Sequence, residues 1–240
     1  MRSDDRGPGE LRSLSFDIAP IQYAEGSTLV AMGQTQVLCA VSVEERVPRW
    51  LRGQNQGWLT AEYALLPRST HTRTARSHIK GGRAQEIRRL IGRSLRRAVR
   101  LDLLGERMLI VDCDVIQADG GTRTASINGG YVAVALAVRG LIKDGLVPSA
   151  TLLPPVGAMS VGMVDGEPRM DLAYEEDARA EMDMNVVMDA EGRFIEIQGT
   201  AEGTPVSRES VNHLLDMASE GIRAVIQTQR EALACSGIEV

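Results

Sequence analysis

Cysteine, histidine and long apolar runs are all scarce in this chain of 240 residues, and each scarcity excludes something. The three cysteines, Cys39, Cys113 and Cys235, match no metal or disulfide spacing. Cys39 and Cys113 stand in apolar, strand-like runs, which predicts buried reduced thiols. The three histidines, His71, His78 and His213, form neither HxH nor HExxH, so no zinc site is expected. No stretch of about 18 or more apolar residues exists, so no membrane span is expected. Met1-Arg2-Ser3-Asp4-Asp5-Arg6 is charged and lacks the apolar core of a secretion signal. The reading is a cytoplasmic protein with no membrane partner. A Walker phosphate loop, GxxxxGK[ST], is also absent.

What the chain does have is length and 43% hydrophobic residues, enough for a sizeable core in one large domain or two smaller halves. Its net charge of −5 argues against a polyanion partner, but the distribution argues for one. Between Arg68 and Arg100 stand ten arginines and Lys80 against the single acid Glu86, a local charge of +10. A mixed charge run would read as a solvated helix face. This one is almost purely arginine, the side chain suited to bidentate phosphate contacts.

Hydrophobic periodicity gives the organisation. Leu14–Ile18, Ser27–Met32, Thr35–Val43 and Gly57–Leu66 read as strands, with Gly33-Gln34 as a hairpin turn. Arg68–Gly82 has no apolar period and reads as a loop. Ala84–Leu101 is an amphipathic helix with apolar positions Ile87, Leu90, Ile91, Leu95, Ala98 and Leu101. Met108–Ile116 is a strand carrying Asp112 and Asp114, and Thr122–Ile142 a helix apolar nearly all round, hence buried. The Gly- and Pro-rich connector Lys143–Pro155 divides the chain into halves at 1–147 and 148–240. In the second half Val156–Val164, Arg169–Tyr174, Glu181–Met188 and Phe194–Gly199 read as strands. Ser207 then caps a long amphipathic helix. Strands followed by helices in both halves predict an α+β fold with mixed β-sheets packed against helices, an order compatible with a duplication although no residue-level repeat is evident.

Three constellations carry chemistry. Gln117-Ala118-Asp119-Gly120-Gly121-Thr122-Arg123 runs from a strand through two glycines into the buried helix. Glycines let backbone N–H groups approach a ligand, and the helix start adds free donors and partial positive charge. With the Thr122 hydroxyl and the Arg123 guanidinium this suits a phosphate; the same run also fits a plain strand–turn–helix joint with a capping threonine. Gly81-Gly82-Arg83 opens the amphipathic helix and offers a second arm for such a clamp. In Tyr174–Asn185, Asp183 and Asn185 share one strand face and Asp177 stands six residues earlier. Asp183 lies between Met182 and Met184, where an ionised carboxylate needs a partner. The two aspartates suit a divalent cation or acid–base work, whereas Glu175-Glu176 reads as a solvated acidic turn.

At these residues the chain resembles the bacterial ribonuclease PH family of phosphorolytic 3′→5′ exoribonucleases. The resemblance runs through Glu44–Pro48, Gly57–Tyr63, Leu66–Arg68, Gly82–Ile87, Leu90–Arg96, Asp112–Ser126, Asp171–Asp177 and Glu196–Thr200, and so spans nearly the whole chain. It implies two related halves, each with a mixed β-sheet packed against helices, forming one subunit of a homohexameric ring built as a trimer of dimers. It implies removal of 3′-terminal nucleotides by inorganic phosphate, with release of nucleoside diphosphates from tRNA precursors and other RNA 3′ ends. By the same resemblance Arg83, Gly121, Thr122 and Arg123 would bind phosphate. Asp177 and Asp183 would be the catalytic aspartates and hold Mg2+, and Arg68, Arg73 and Arg76 would grip the RNA. One departure stands out: Ser77-His78-Ile79-Lys80-Gly81 is shorter than the usual loop of the family, next to Arg73 and Arg76. A hydrolytic nuclease, a non-enzymatic RNA-binding ring subunit and a small-molecule phosphotransferase are the rival readings.

Overall fold

A computed structural model of the protein describes residues 2, 4–77, 81–202, 205–238 and 240; His78, Ile79 and Lys80 of the short loop lie outside them. The first half builds a five-stranded sheet from β1 (Leu14–Ile18), β2 (Gly26–Met32), β3 (Thr35–Glu44), β4 (Trp58–Leu65) and β5 (Met108–Gln117), in the order β1-β2-β3-β5-β4. Neighbours are antiparallel except β4 and β5, which are parallel. A parallel pair needs a crossover connection, and helix α1 (Gly82–Leu95) supplies it. The second half forms a sheet in the order β7-β6-β8-β9, from β6 (Val156–Val164), β7 (Glu167–Met170), β8 (Met182–Asp189) and β9 (Phe194–Ala201). The architecture is α+β as expected. The first sheet is mixed, and the second is antiparallel throughout because its neighbours join by short turns or the small helix α3 (Tyr174–Asp177).

Helix α2 (Thr122–Lys143) joins the halves. It is buried on nearly every side, and its apolar length is that of a core helix packed on β2, β3 and β6. One core therefore runs from Val30, Leu59 and Val111 through Tyr131 to Val156, Ala158, Val187 and Leu233. Buried polar groups pin the joint. The Asn128 amide donates to Ala158 O at 3.0 Å and accepts from Ala158 N at 2.7 Å. Gln229 Nε2 donates to Asn128 O and Val156 O. Cys39 and Cys113 are buried free thiols beneath α2, as expected. A second, methionine-rich core lies between the second sheet and α4 (Arg208–Ala234), whose N-cap is Ser207, accepting from Ser210 N.

Two boundaries differ from the periodic pattern. The basic helix ends at Leu95, followed by a 3-10 turn, Arg96–Ala98. Val99 then pairs with Leu152, Arg100 N donates to Thr151 O, and Leu153 N donates to Ala98 O. Those tertiary hydrogen bonds replace the last helical turn. The expected strand over 169–174 stops at Met170. Asp171 turns the chain with a left-handed backbone (φ 54°), and residues 174–177 form α3 instead. Arg12 holds that turn: its backbone N–H and its guanidinium both bind the buried Asp171 carboxylate.

Candidate active site

Helix α2 is led in by Gly120 (φ 74°) and its N-cap Gly121 (φ 65°), two successive left-handed residues. No side chain caps the helix, so its first-turn N–H groups are open to a ligand at the positive end of a 22-residue helix. The turn is held from behind: Thr35 Oγ1 donates to Gly120 O at 2.6 Å and accepts from Asp119 N, and Arg12 Nη1 donates to Asp119 O. A Cβ on Gly120 would stand 2.4 Å from Leu172 O and 2.8 Å from Tyr174 N. The turn therefore presses directly on the segment that leads into α3, whose last residue is Asp177. Gly120→Ala combines that clash with a positive φ. We expect a stability loss of at least about 1–3 kcal/mol, read as a lower urea midpoint; an unchanged midpoint would mean that the two segments part freely.

A cavity of about 370 Å³ opens over this turn. Arg83, Gly121, Thr122, Arg123 and Asp177 all line it, with Tyr63, Ser160, Asn185, His71 and Tyr174. The crossover helix α1 thus delivers Arg83, at its second residue, to the start of α2. Arg123 Nη2 pairs with Glu86 Oε2 at 3.1 Å, and Gln198 Nε2 donates to the other Glu86 oxygen at 3.0 Å. Burial alone would raise the Glu86 pKa, but the Gln198 hydrogen bond and the two arginines bring it below its ordinary value. Arg123 Nε is buried with no hydrogen-bond partner among the described residues. The Thr122 hydroxyl meets Tyr63 Oη at 2.9 Å. Burial raises the Tyr63 pKa, so the phenol stays protonated and can donate.

Asp183 sits on β8 opposite Gly162 and Thr200. Strand alternation turns Met182, Met184 and Met188 into the α4 core and puts Asp183 and Asn185 on the other face. Asp183 is half-buried and is not itself a lining residue of the cavity, whereas Asn185 is. Its carboxylate is still close enough to act on Asp177. Partial enclosure, then the Asp183 charge, raise the Asp177 pKa, against the pull of Arg123 and Arg83. Among the described residues no three His, Cys, Asp or Glu side chains cluster as a ready metal cage.

The basic segment is divided in use. Arg68 lines a neighbouring hollow of about 840 Å³ that shares Thr70, His71, Ala118 and Tyr174 with the first. Arg73 and Arg76 are exposed and line neither. On α1, Arg88 pairs with Glu62 and Arg93 with Glu196, and in the 3-10 turn that follows Arg96 stacks over Trp58 at 4.6 Å. The acidic pair also divides. Glu175 is exposed, as a solvated turn requires, but Glu176 is 2% exposed. It takes two hydrogen bonds from Arg2, at 2.9 and 2.8 Å, and one from Arg169. Glu86, Gln198, Tyr63 and Ser160 are site residues that the sequence did not single out. Glu86 carried a signal as the sole acid in the basic run, and Tyr63 and Gln198 lay in family-like segments with no role attached, while Ser160 carried none.

Known proteins share the sequence pattern and the fold of this chain. The sequence model of the 3′ exoribonuclease family, domain 1, matches residues 10–139, and that of domain 2 matches residues 154–221. The Ribonuclease PH of Synechococcus sp. is 52% identical over 232 residues, 96% of this chain and 94% of that protein. The Ribonuclease PH of Bacillus velezensis is 52% identical over 237 residues, 97% of each. The crystal structure of rice (Oryza sativa) Rrp46 shares the fold with a TM-score of 0.79 at 20% identity, covering 97% of this chain and all of that one. With both family domains present in order and half its residues shared with named relatives over nearly its full length, the chain belongs to the ribonuclease PH group of the 3′ exoribonuclease family.

Proposed function

We propose that this protein is a phosphate-dependent 3′→5′ exoribonuclease that trims tRNA precursors and other RNA 3′ ends in the cytoplasm, releasing nucleoside diphosphates. The observation that carries this reading is the convergence of Arg83, the Gly121-Thr122-Arg123 helix start and Asp177, from three separate elements, on one cavity. Arg83, Arg123, the Thr122 hydroxyl and the first N–H groups of α2 hold inorganic phosphate. Glu86 and Gln198 fix the Arg123 guanidinium from the side. One phosphate oxygen attacks the last phosphodiester in line. The terminal nucleotide leaves as a diphosphate, and the shortened RNA keeps the departing 3′-oxygen as a hydroxyl. Held this way, the reaction is accelerated by positioning and by charge already in place.

Asp177 and Asp183 are the catalytic carboxylates and the pair that would hold Mg2+. Their donor set fits: both offer oxygen, and their mutual repulsion at Asp177 is what a divalent cation relieves. With no third acidic, His or Cys neighbour clustered there among the described residues, the other ligands would be water and phosphoryl oxygens. Bound Mg2+ would offset charge on those oxygens. Arg68, Arg73 and Arg76 grip the RNA backbone from the loop beside the cavity. In this reading residues 1–147 carry the phosphate turn and 148–240 the aspartates, and the working assembly is a homohexamer, a trimer of dimers.

The test is product analysis on a 3′-end-labelled RNA with Mg2+, with and without inorganic phosphate. We expect label released as nucleoside diphosphate only when phosphate is present. Monophosphate released regardless of phosphate would make the protein a hydrolase and overturn the phosphate site.

A further inference from the structure

Aromatic side chains are rare in this protein: two Trp, four Tyr and two Phe in 240 residues. Tyr63 and Tyr131 are buried, and Trp58 lies beneath Arg96. Tyr23, Trp50 and Phe194 are exposed and line neither hollow beside the phosphate turn, whereas Tyr174 lines both. It is 54% exposed, so burial in the core does not account for the ring. It lines the cavity that holds Arg83, Arg123 and Asp177, and also the larger hollow that holds Arg68. The His71 ring lines the same two spaces, 6.3 Å from Tyr174 and tilted by 50°.

The backbone behind Tyr174 is closely packed. Gly120 of the phosphate turn presses on its backbone, and its N–H reaches Asp119 Oδ1 at 3.4 Å. Tyr174 opens the helical turn that Asp177 closes. Residues three apart on a helix stand about 5–6 Å from each other, so a planar group on Tyr174 has its attached sugar and phosphate beside Asp177 and the start of α2. An enzyme that removes terminal nucleotides whatever their sequence needs a contact that every base can make. Stacking on a ring face is such a contact, since all four bases have one. A tyrosine makes it with only two side-chain torsions to order.

We propose that Tyr174, with His71 as the second wall, seats the base of the RNA's 3′-terminal nucleotide. The proposal rests on the phosphorolytic reading above and adds to it the residue that grips the nucleotide about to leave. The test is steady-state phosphorolysis by the full chain. Tyr174→Ala should raise KM for RNA about 5- to 150-fold. KM for phosphate should move by less than about 2-fold, because the ring touches the base and not the nucleophile. Tyr174→Phe should recover the larger part of the loss, since the ring face is kept. An RNA whose terminal nucleotide lacks a base should be penalised in the wild type, with little further loss in Tyr174→Ala.

An unchanged KM for RNA, or a full abasic penalty in the alanine variant, would overturn the proposal. So would equal rises in both KM values, which would make Tyr174 a prop for the phosphate turn. A wild-type protein that releases no nucleoside diphosphate would remove the underlying reading, and the seat with it. An active wild type with an indifferent variant would sink the seat alone.

Discussion

Arg123→Ala should reduce turnover at limiting phosphate by about 10²- to 10³-fold, the scale seen when one preorganised charge-stabilising donor is removed. The guanidinium stands in the first turn of α2, where the open N–H groups already favour an anion. Its Nη2 is tied to Glu86, which is in turn tied to Gln198, so the group is held before any ligand arrives. Its buried Nε has no partner among the described residues, and an unmet buried donor is costly unless a ligand completes it. The loss should therefore show as a raised KM for phosphate and a lowered rate, with RNA affinity changed only a few-fold. Arg123→Lys should restore little, because a point charge cannot reproduce the planar fork. Initial rates across phosphate concentrations, set beside RNA binding without phosphate, would check this. Equal loss of RNA binding and phosphate use would show that Arg123 serves the RNA instead.

Asp171→Asn should cost about 3–5 kcal/mol of folding stability, the scale for breaking a buried ion pair from one side. That is a large share of the roughly 5–15 kcal/mol that holds a domain folded. Asp171 is fully buried and accepts from Arg12 N at 2.8 Å, Nε at 3.0 Å and Nη2 at 2.6 Å, with Arg6 Nη1 at 3.4 Å. The substitution leaves the Arg12 charge buried and poorly matched. It also loosens the turn at residue 171 and the Arg12 contact behind Asp119, so activity should fall with stability. Urea unfolding would measure the first effect, and a loss under about 1 kcal/mol would mean that desolvation nearly cancels the pairing.

The same pair sets an acid limit. Burial by itself would raise the Asp171 pKa, but the Arg12 hydrogen bonds and charge, with help from Arg6, hold it below its ordinary value. A carboxylate with a depressed folded-state pKa contributes stability in full above its unfolded value of about 3.9, and loses it as pH falls through the folded value. The stability gap between wild type and Asp171→Asn should thus be constant above about pH 5 and close below about pH 4. A gap that stayed open at lower pH would mean that the pair is not what the substitution removes.

Much of the fold was legible because hydrophobic period reports directly on which face of an element meets water. The alternation in Thr35–Glu44, the all-round apolarity of Thr122–Lys143 and the capped helix after Ser207 needed no tertiary information. The Gly120-Gly121-Thr122-Arg123 turn was legible too, since two glycines before a helix announce a close backbone approach. Tertiary contacts decided the rest. Arg2 and Arg6 looked like part of a charged terminus, Arg12 carried no signal, and Glu176 looked like half of a solvated turn. Together with Asp171 and Arg169 they form a buried ion network between groups up to 174 residues apart. A buried charge must find a partner, but nothing local names which one. For the same reason the end of α1 was set by hydrogen bonds to residues 151–153, and the company of Arg123 by Glu86 and Gln198. The sequence by itself determined the elements and the chemistry each could offer. Only the packing of α2 between the two sheets decided which of those groups meet, because contacts between distant elements depend on how whole faces stack and not on the residues beside them in the chain.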